Sequence, residues 1–393
     1  METILTVNGG SSSLKCALFK YTGAKLELLY NFKLGNILND TARFKVKGAS
    51  GEVLLKSTPS FSDVPKEQRH QACLKTILDW LNAEVSDNSL CAFGHRVVHG
   101  GSHFSAPILI NDQVLDKLAS FIPLAPLHQP YNLRLIEACR NIAPDLPQVA
   151  CFDTMFHAEQ SSLEQHYALP RKYTEEGVHR YGFHGLSYEY IQRQLVEQKS
   201  GHLKTVVCHL GAGASMCAIG EGKSVASSMG FTAVDGLPMG SRCGNIDPGV
   251  LLYLQRHHNL SADDLEALIY KQSGWLGVSG ISSDMLELEQ SDQPEAEEAI
   301  DMFCYRAALE IGRLSAALEG LEQIVFTGGV GENSANVRER ILKRCEWLGV
   351  KFNPHANSTN DSIINGADSK VTVRVIPTNE EAMIAMHTKD LMA

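Results

Sequence analysis

The sequence is defined first by what it lacks. Its ten cysteines (Cys16, Cys73, Cys91, Cys139, Cys151, Cys208, Cys217, Cys243, Cys304 and Cys345) never fall in a C-x-x-C pair. That excludes a zinc ribbon or a thioredoxin-type motif and suits free thiols in a reducing compartment. No run of about 18 apolar residues occurs, so nothing is expected to span a membrane. Basic charge is scarce: 35 Lys and Arg against 45 Asp and Glu leave a net charge of -10. A nucleic-acid binder would show the opposite balance, whereas a phosphate site needs only local positive charge. The opening METILTVNGG has neither a basic n-region nor an apolar h-region, so the expectation is a cytoplasmic protein. The familiar nucleotide loops are missing too. GEGKS (220–224) ends like a Walker A loop, but Cys217 stands where that loop needs its first glycine. The protein-kinase signatures and a strand-borne G-x-G-x-x-G are likewise absent.

What is present is a two-domain pattern. A chain of 393 residues exceeds what one hydrophobic core holds, and 44% hydrophobic with 20% charged residues is ordinary for a folded protein. ILTVN (4–8), GGSSS (9–13) and LKCALF (14–19) read as a β-hairpin around a tight turn. VVCHLG (206–211), AGA (212–214) and SMCAIG (215–220) repeat the pattern. An offset of 201 residues lays Cys16-Ala17-Leu18 over Cys217-Ala218-Ile219 and Gly10 over Gly211, which points to two related halves. Ile300, Phe303, Ala307, Ile311, Leu314 and Leu318 mark one face of a helix over 296–320. Ser261 with Asp264 resembles a capping box, and Asn333 or Ser334 is placed to cap a helix running to Leu348. The acidic stretch 283–299, with Pro294, reads as a surface loop or helix entry. Strands mixed with helices in this order give an α/β class.

Several segments carry chemistry. VFTGGVGENS (325–334) is a strand, three glycines in four positions, then a helix beginning near Asn333. Such glycines let backbone N–H groups approach an anion; an ordinary tight turn is the bland alternative. HLGAG (209–213) has the same character. GHRVVHGG (94–101) and MGSRCGNIDPG (239–249) set Arg96 and Arg242 among glycines and apolar residues, where an arginine lines a site or pairs a carboxylate. His95, His99 and His103 have helical metal-face spacing, but the surrounding glycines and valines argue for strand and loop, so no metal is assigned to them. His128 lies between prolines in LAPLHQP (124–130), Asp153 ends the apolar run VACF, and His184 sits in HRYGFHGLSYEY (179–190). Glu380 and Glu381 start the last helix, where the dipole alone accounts for carboxylates.

Taken together these stretches resemble the acetate kinase family, in the superfamily of acetate and sugar kinases, Hsp70 and actin. The likeness runs in the family's order from NGGSSSLK to PTNEE. It implies two ribonuclease H-like α/β domains of the actin-like ATPase superfamily, with a central cleft. The first would cover 1–150 with the C-terminal helix 382–393, and the second, nucleotide-binding and dimer-forming, 151–381. The implied reaction is reversible, direct in-line transfer from ATP to acetate, giving acetyl phosphate and ADP, with Mg²⁺ or Mn²⁺. The implied partners are small-molecule substrates and a second copy of the chain, with no nucleic acid and no membrane. By resemblance, Asp153, Arg96, His184, Arg242 and His128 are catalytic, and Asn8 and Glu380 hold the metal. Val98, Leu127, Phe183 and Ala233, with Arg96, take the acid. Nucleotide contacts would come from His209, Leu210, Gly211, Ala212 and Gly213, from Asp284, Met285 and Leu286, and from Gly329, Val330, Gly331, Glu332 and Asn333.

These roles make chemical sense. A small carboxylic acid with a pKa of about 4 is an anion at neutral pH, so its activation needs no base. The obstacle is repulsion between two anions and the charge spread over the moving phosphoryl, which fixed cations and a metal relieve. Asp153 then reads as an orienter of metal or arginine. Three positions depart from the family pattern: Ala212 replaces the Asn of HLGNG, Leu286 replaces the Arg of D-x-R, and Ala233 replaces the Pro of FTP. The first two open the alternative of a non-ATP donor such as pyrophosphate, and the third that of propionate or another short-chain acid. A non-catalytic, nucleotide-gated sensor of the same superfamily is the alternative from another class. It would have no need of two arginines at a carboxylate site.

Overall fold

The computed structural model describes residues 2–10, 12–23, 25–85 and 89–392. The chain divides into two compact units, Met1–Met155 with Asn379–Ala393, and Phe156–Thr378. The first unit is built on β1 (Glu2–Gly9), β2 (Ser13–Thr22), β3 (Lys25–Gly35), β4 (Arg43–Gly48), β5 (Val53–Ser57), β6 (Ser89–Val97), β7 (Ile108–Leu109) and β8 (Gln148–Phe152). They form one sheet in the order β5-β4-β3-β2-β1-β6-β8-β7. The second unit has β9 (Thr205–His209), β10 (Ser215–Gly220), β11 (Lys223–Ser227), β12 (Gln323–Thr327) and β13 (Thr372–Val375), in the order β11-β10-β9-β12-β13.

The halves are built alike. Each opens with antiparallel strands (β1 to β2 to β3; β9 to β10 to β11), and on the other side of the first strand two strands join in parallel (β6 and β8; β12 and β13). This is a ribonuclease H-like core occurring twice, as the hairpin repeat suggested. Ser11 of the expected first turn, and Ala393, lie outside the described residues. The unit boundary falls a few residues beyond 150 because β8 is locked in parallel register to β6, with Arg96 opposite Cys151 and Val97 opposite Phe152.

Strand alternation sorts the first unit into two faces. Leu5, Val7, Leu14, Cys16 and Leu18 join a core with Leu74, Ile77 and Leu81 of the helix Arg69–Glu84 and Leu135 and Cys139 of the helix Gln129–Ile142. Ala17 and Phe19, one residue out of phase, pack on Ala385 of the terminal helix Glu380–Met392. Asn8, Gly94 and Arg96 are out of phase with Val7 and Phe93 in the same way and so share the terminal helix's face. In the second unit Val207, Cys217, Ile219 and Val325 pack on Tyr188, Ile191 and Leu195 of the helix Gly185–Glu197. The long helix Pro294–Ala317 lies against β9, β10 and β11.

The capping box at Ser261 opens Ala262–Lys271, and Ser334 caps Ala335–Arg344. The stretch 283–299 is more ordered than a loop: Asp284 caps a short helix, Met285–Glu289, and Pro294 opens the long one. GEGKS is the tight turn between β10 and β11, with Glu221 and Gly222 at positive φ. His95 is on β6, with His99 and His103 in the loop beyond it. No described helix is long and apolar enough to cross a membrane.

Gly94 is where the terminal helix meets the sheet: a methyl there would overlap Thr388 Oγ1 and Ile384 Cγ2. Gly94→Ala is expected to cost about 1–3 kcal/mol by overpacking. Gly35→Ala, where a Cβ meets nothing within 4 Å, is the control, with urea midpoints as the measurement.

Candidate active site

On the terminal-helix face of the first unit a guanidinium is held by carboxylates. Arg96 donates through Nε to Asp153 Oδ1 at 2.9 Å, through Nη2 to Asp153 Oδ2 at 2.5 Å, and through Nη1 to Asn8 Oδ1 at 3.2 Å. Asn8 Nδ2 donates to Glu380 Oε2 at 3.4 Å and Glu381 Oε1 at 3.2 Å. Asp153 is brought under Arg96 by the strand register, its N–H donating to Val97 O at 3.1 Å. Burial alone would lower the Arg96 pKa, but Asp153, Glu380 and Glu381 together raise it. Burial pushes the Asp153 carboxyl up, Arg96 pulls it down, and Glu380 adds to the rise. One guanidinium thus sits beside three carboxyl groups.

In the second unit, His184 is the residue before the helix Gly185–Glu197 and has φ 58° and ψ 24°. That left-handed conformation costs a residue with a Cβ roughly 1–3 kcal/mol, and the surroundings hold it there. His184 Nδ1 is 2.8 Å from Ser215 Oγ, which is 2.5 Å from Tyr188 Oη. Its ring stacks on His209 with centroids 4.3 Å apart. His209 Nδ1 is 2.8 Å from Ser187 Oγ, itself 2.8 Å from Thr378 Oγ1. Arg242 Nη1 donates to Ala233 O at 3.0 Å. A Cβ built on Gly213 would lie 3.7 Å from His184 Nε2 and 3.8 Å from Arg242 Nη1. Two nitrogens therefore converge on the space beside this glycine.

The three expected nucleotide segments converge as well. A cavity of about 520 Å³ is lined by Gly211 and Ala212, by Asp284, Met285 and Leu286, and by Gly329, Val330 and Asn333, with Trp275, Ser283, Glu289 and Ser334 completing it. That volume suits a small-molecule site. No Lys, Arg or His is among these residues, so an anionic ligand must find its cations outside the cavity. The glycines themselves form a short helix, Gly328–Asn333, and the expected helix begins just after it at Ala335, capped by Ser334. The short helix's first N–H, that of Gly328, donates to Glu332 Oε1 at 2.8 Å, and those of Val330 and Gly331 donate to Leu210 O. Beneath it, Arg338 is fully buried and donates to Gly331 O, Glu332 O, Asn357 Oδ1 and O, and Asn360 Oδ1. Burial lowers its pKa to about 10.

The expected site residues thus fall into groups. Asn8, Arg96, Asp153 and Glu380 are gathered in the first unit, where Val98 is buried and Leu127 and His128 are half-buried. His184, His209, Gly213 and Arg242 are gathered in the second, which also holds the buried Phe183 and the half-buried Ala233. Sequence reasoning gave no role to Glu381, Ser215, Ser187, Thr378 or Trp275. Ser215 was findable, being in phase with Cys217 and Ile219 on the His184 side of β10.

Two ribonuclease H-like cores in one chain define an α/β protein of the actin-like ATPase class. Within it, the chain belongs to the acetokinase family, whose profile matches residues 3–386. The family is one of phosphotransferases with a carboxyl group as acceptor, and this chain is such an enzyme. An acetate kinase of Methylocella silvestris is 48% identical over 397 residues, covering 99% of this chain and 98% of that protein. Among solved structures, a propionate kinase from Francisella tularensis superposes with a TM-score of 0.89 at 36% identity, covering 99% of this chain and 100% of its own. The Porphyromonas gingivalis acetate kinase gives 0.87 at 35% identity, covering 100% of both chains.

Buried ionisable groups in both units bear on stability. Arg96→Ala leaves Asp153 buried without its partner and is expected to cost about 3–5 kcal/mol, while Arg96→Ala with Asp153→Ala costs less, both read by urea unfolding. His95, 2.7 Å from the Gln148 side chain, and His157, between Ser224 Oγ and Phe183 O, are both pushed down to about 4 by burial. Both are neutral in the folded chain at pH 7 and take up a proton on unfolding below about pH 6.5. Stability should therefore fall as pH drops from about 6.5 towards 4, and His95→Gln should flatten part of that slope.

Proposed function

We propose that the chain catalyses reversible transfer of the γ-phosphoryl of ATP to acetate, giving acetyl phosphate and ADP in a single in-line step. The observation that carries this is the convergence of His184 Nε2 and Arg242 Nη1 beside Gly213, next to the Gly211-Ala212 edge of a cation-free cavity. The cavity suits the nucleoside end of the donor, and the phosphates then depend on the two fixed nitrogen groups. Arg242 and His184 offset charge on the equatorial oxygens during transfer. Arg96, kept charged by Asp153, binds and orients the carboxylate, and Asp153 fixes the guanidinium rather than taking a proton. Val98 and Leu127 in the first unit, and Phe183 and Ala233 in the second, are proposed to take part in binding the acid, and His128 in catalysis.

The residues of the first unit fit a hard divalent cation. Asn8, Glu380 and Glu381 offer oxygens, and the carboxyl groups beside Arg96 favour one. Among the described residues no three His, Cys, Asp or Glu side chains make a ready cage. Mg²⁺ is commonly held by one or two carboxylates plus water and phosphate. When bound, Mg²⁺ would neutralise donor phosphate charge.

Propionate is the second acceptor reading, favoured by Ala233 and by the Francisella relative, itself a propionate kinase. One methylene is worth only about 1–3 kcal/mol of discrimination. We propose further a cytoplasmic homodimer, supported by Val250, Leu252, Tyr253, Tyr305 and Leu309 of the second unit, all 40% or more exposed.

Acyl phosphate trapped as the hydroxamate, with acid, donor and metal varied, tests the reading: product should form with acetate, ATP and Mg²⁺ and stop on chelation. Product from pyrophosphate but not ATP would replace the donor. Arg242→Ala should lower kcat on the order of 10³-fold, and a folded variant keeping most of its turnover would remove that role.

A further inference from the structure

Arg180 is assigned no part in the chemistry, yet its guanidinium is tied into the backbone beside it. Its Nη2 donates to three successive carbonyls, Ser227 O at 3.1 Å, Ser228 O at 3.2 Å and Met229 O at 3.1 Å. Its Nη1 donates to Asp235 Oδ2 at 3.0 Å, and its Nε lies 3.8 Å from Glu164 Oε1. The three carbonyls make a cup for one nitrogen while the other reaches across to the far end of the same loop. Only a planar fork spans both; a lysine ammonium reaches one or the other.

The backbone beside Arg180 grips the same loop. The N–H groups of Tyr181 and Gly182 donate to Gly230 O, and Tyr167 Oη accepts from Phe231 N at 2.8 Å. A Cβ on Gly230 would strike Asp235 Oδ2 and Tyr167 Oη and come within 3.2 Å of Arg180 Nη1, so the loop passes through a fitted channel. This loop presents Ala233 O, the acceptor for Arg242 Nη1 at 3.0 Å. The segment that clamps it, 179–184, ends in His184. One side chain therefore ties the backbone carrying His184 to the carbonyl that holds Arg242, and both side chains converge on Gly213.

We propose that Arg180 is a positioning residue for phosphoryl transfer, setting Arg242 against His184 through the loop 227–236. The inference rests on the role given to Arg242 above. A misplacement of about 1 Å at such a group costs on the order of 10²-fold in rate, without loss of a contact to the donor.

The test is a kinetic cycle on the full chain. Arg180→Lys is expected to lower kcat on the order of 10²-fold while the KM for ATP moves by less than about threefold. In an Arg242→Ala background the same change should cost less than about threefold, because the group it positions is gone. Should Arg180→Lys fail to fold, Asp235→Asn is read in the same cycle. Full turnover in Arg180→Lys, or an equal loss in both backgrounds, overturns the coupling alone. An Arg242→Ala chain that keeps its turnover overturns the role of Arg242, and the coupling with it.

Discussion

A guanidinium buried among carboxylates organises the first unit. Charge removed from water must be paired and hydrogen-bonded, and Arg96 meets that demand with Asp153 in front and Asn8 beside it. The demand then spreads. Asp153 must follow β8 closely enough to face β6, Asn8 must stand on the same side of β1, and the terminal helix must bring Glu380 and Glu381 to Asn8. The two-residue period of strands meets all of this at once, since the apolar core lies on one face and the polar cluster on the other.

The second unit treats its cations differently. Arg338 is buried without a carboxylate, its charge spread over five carbonyl and amide oxygens at the end of the glycine helix. Arg242 rests on a backbone carbonyl and His184 on a serine hydroxyl. A neutral partner of this kind fixes where a side chain points and leaves the local net charge as it was.

Much of the fold was legible because it rests on local signals. The hairpins announced themselves by strand-length apolar runs around glycine, the long helix by its period, and the capping box by Ser261 and Asp264. Gly211 and Gly329 each stood out in a glycine run, while Asp284 entered only through the family resemblance; that the two glycines line one cavity follows from the parallel pairing of β9 with β12, which no window of sequence contains. That the glycines themselves take a helical turn was not expected, because glycine disfavours helix by propensity; their N–H groups are met by Glu332 Oε1, four residues on from Gly328, and by Leu210 O, distant in sequence. Arg180 was passed over because its acceptors lie 47 to 55 residues away, and three of them are backbone carbonyls, which any sequence could supply.

The terminal helix has a consequence for how the protein is made. Residues 379–392 supply the cover for one face of the first sheet, with Gly94 kept bare to admit them. They emerge from the ribosome only after the whole second unit has been synthesised. Until they arrive the first unit must wait with an apolar face and a half-built polar cluster exposed. The first unit is therefore completed only after the second has been made, and the step that completes it also delivers Glu380 to Asn8.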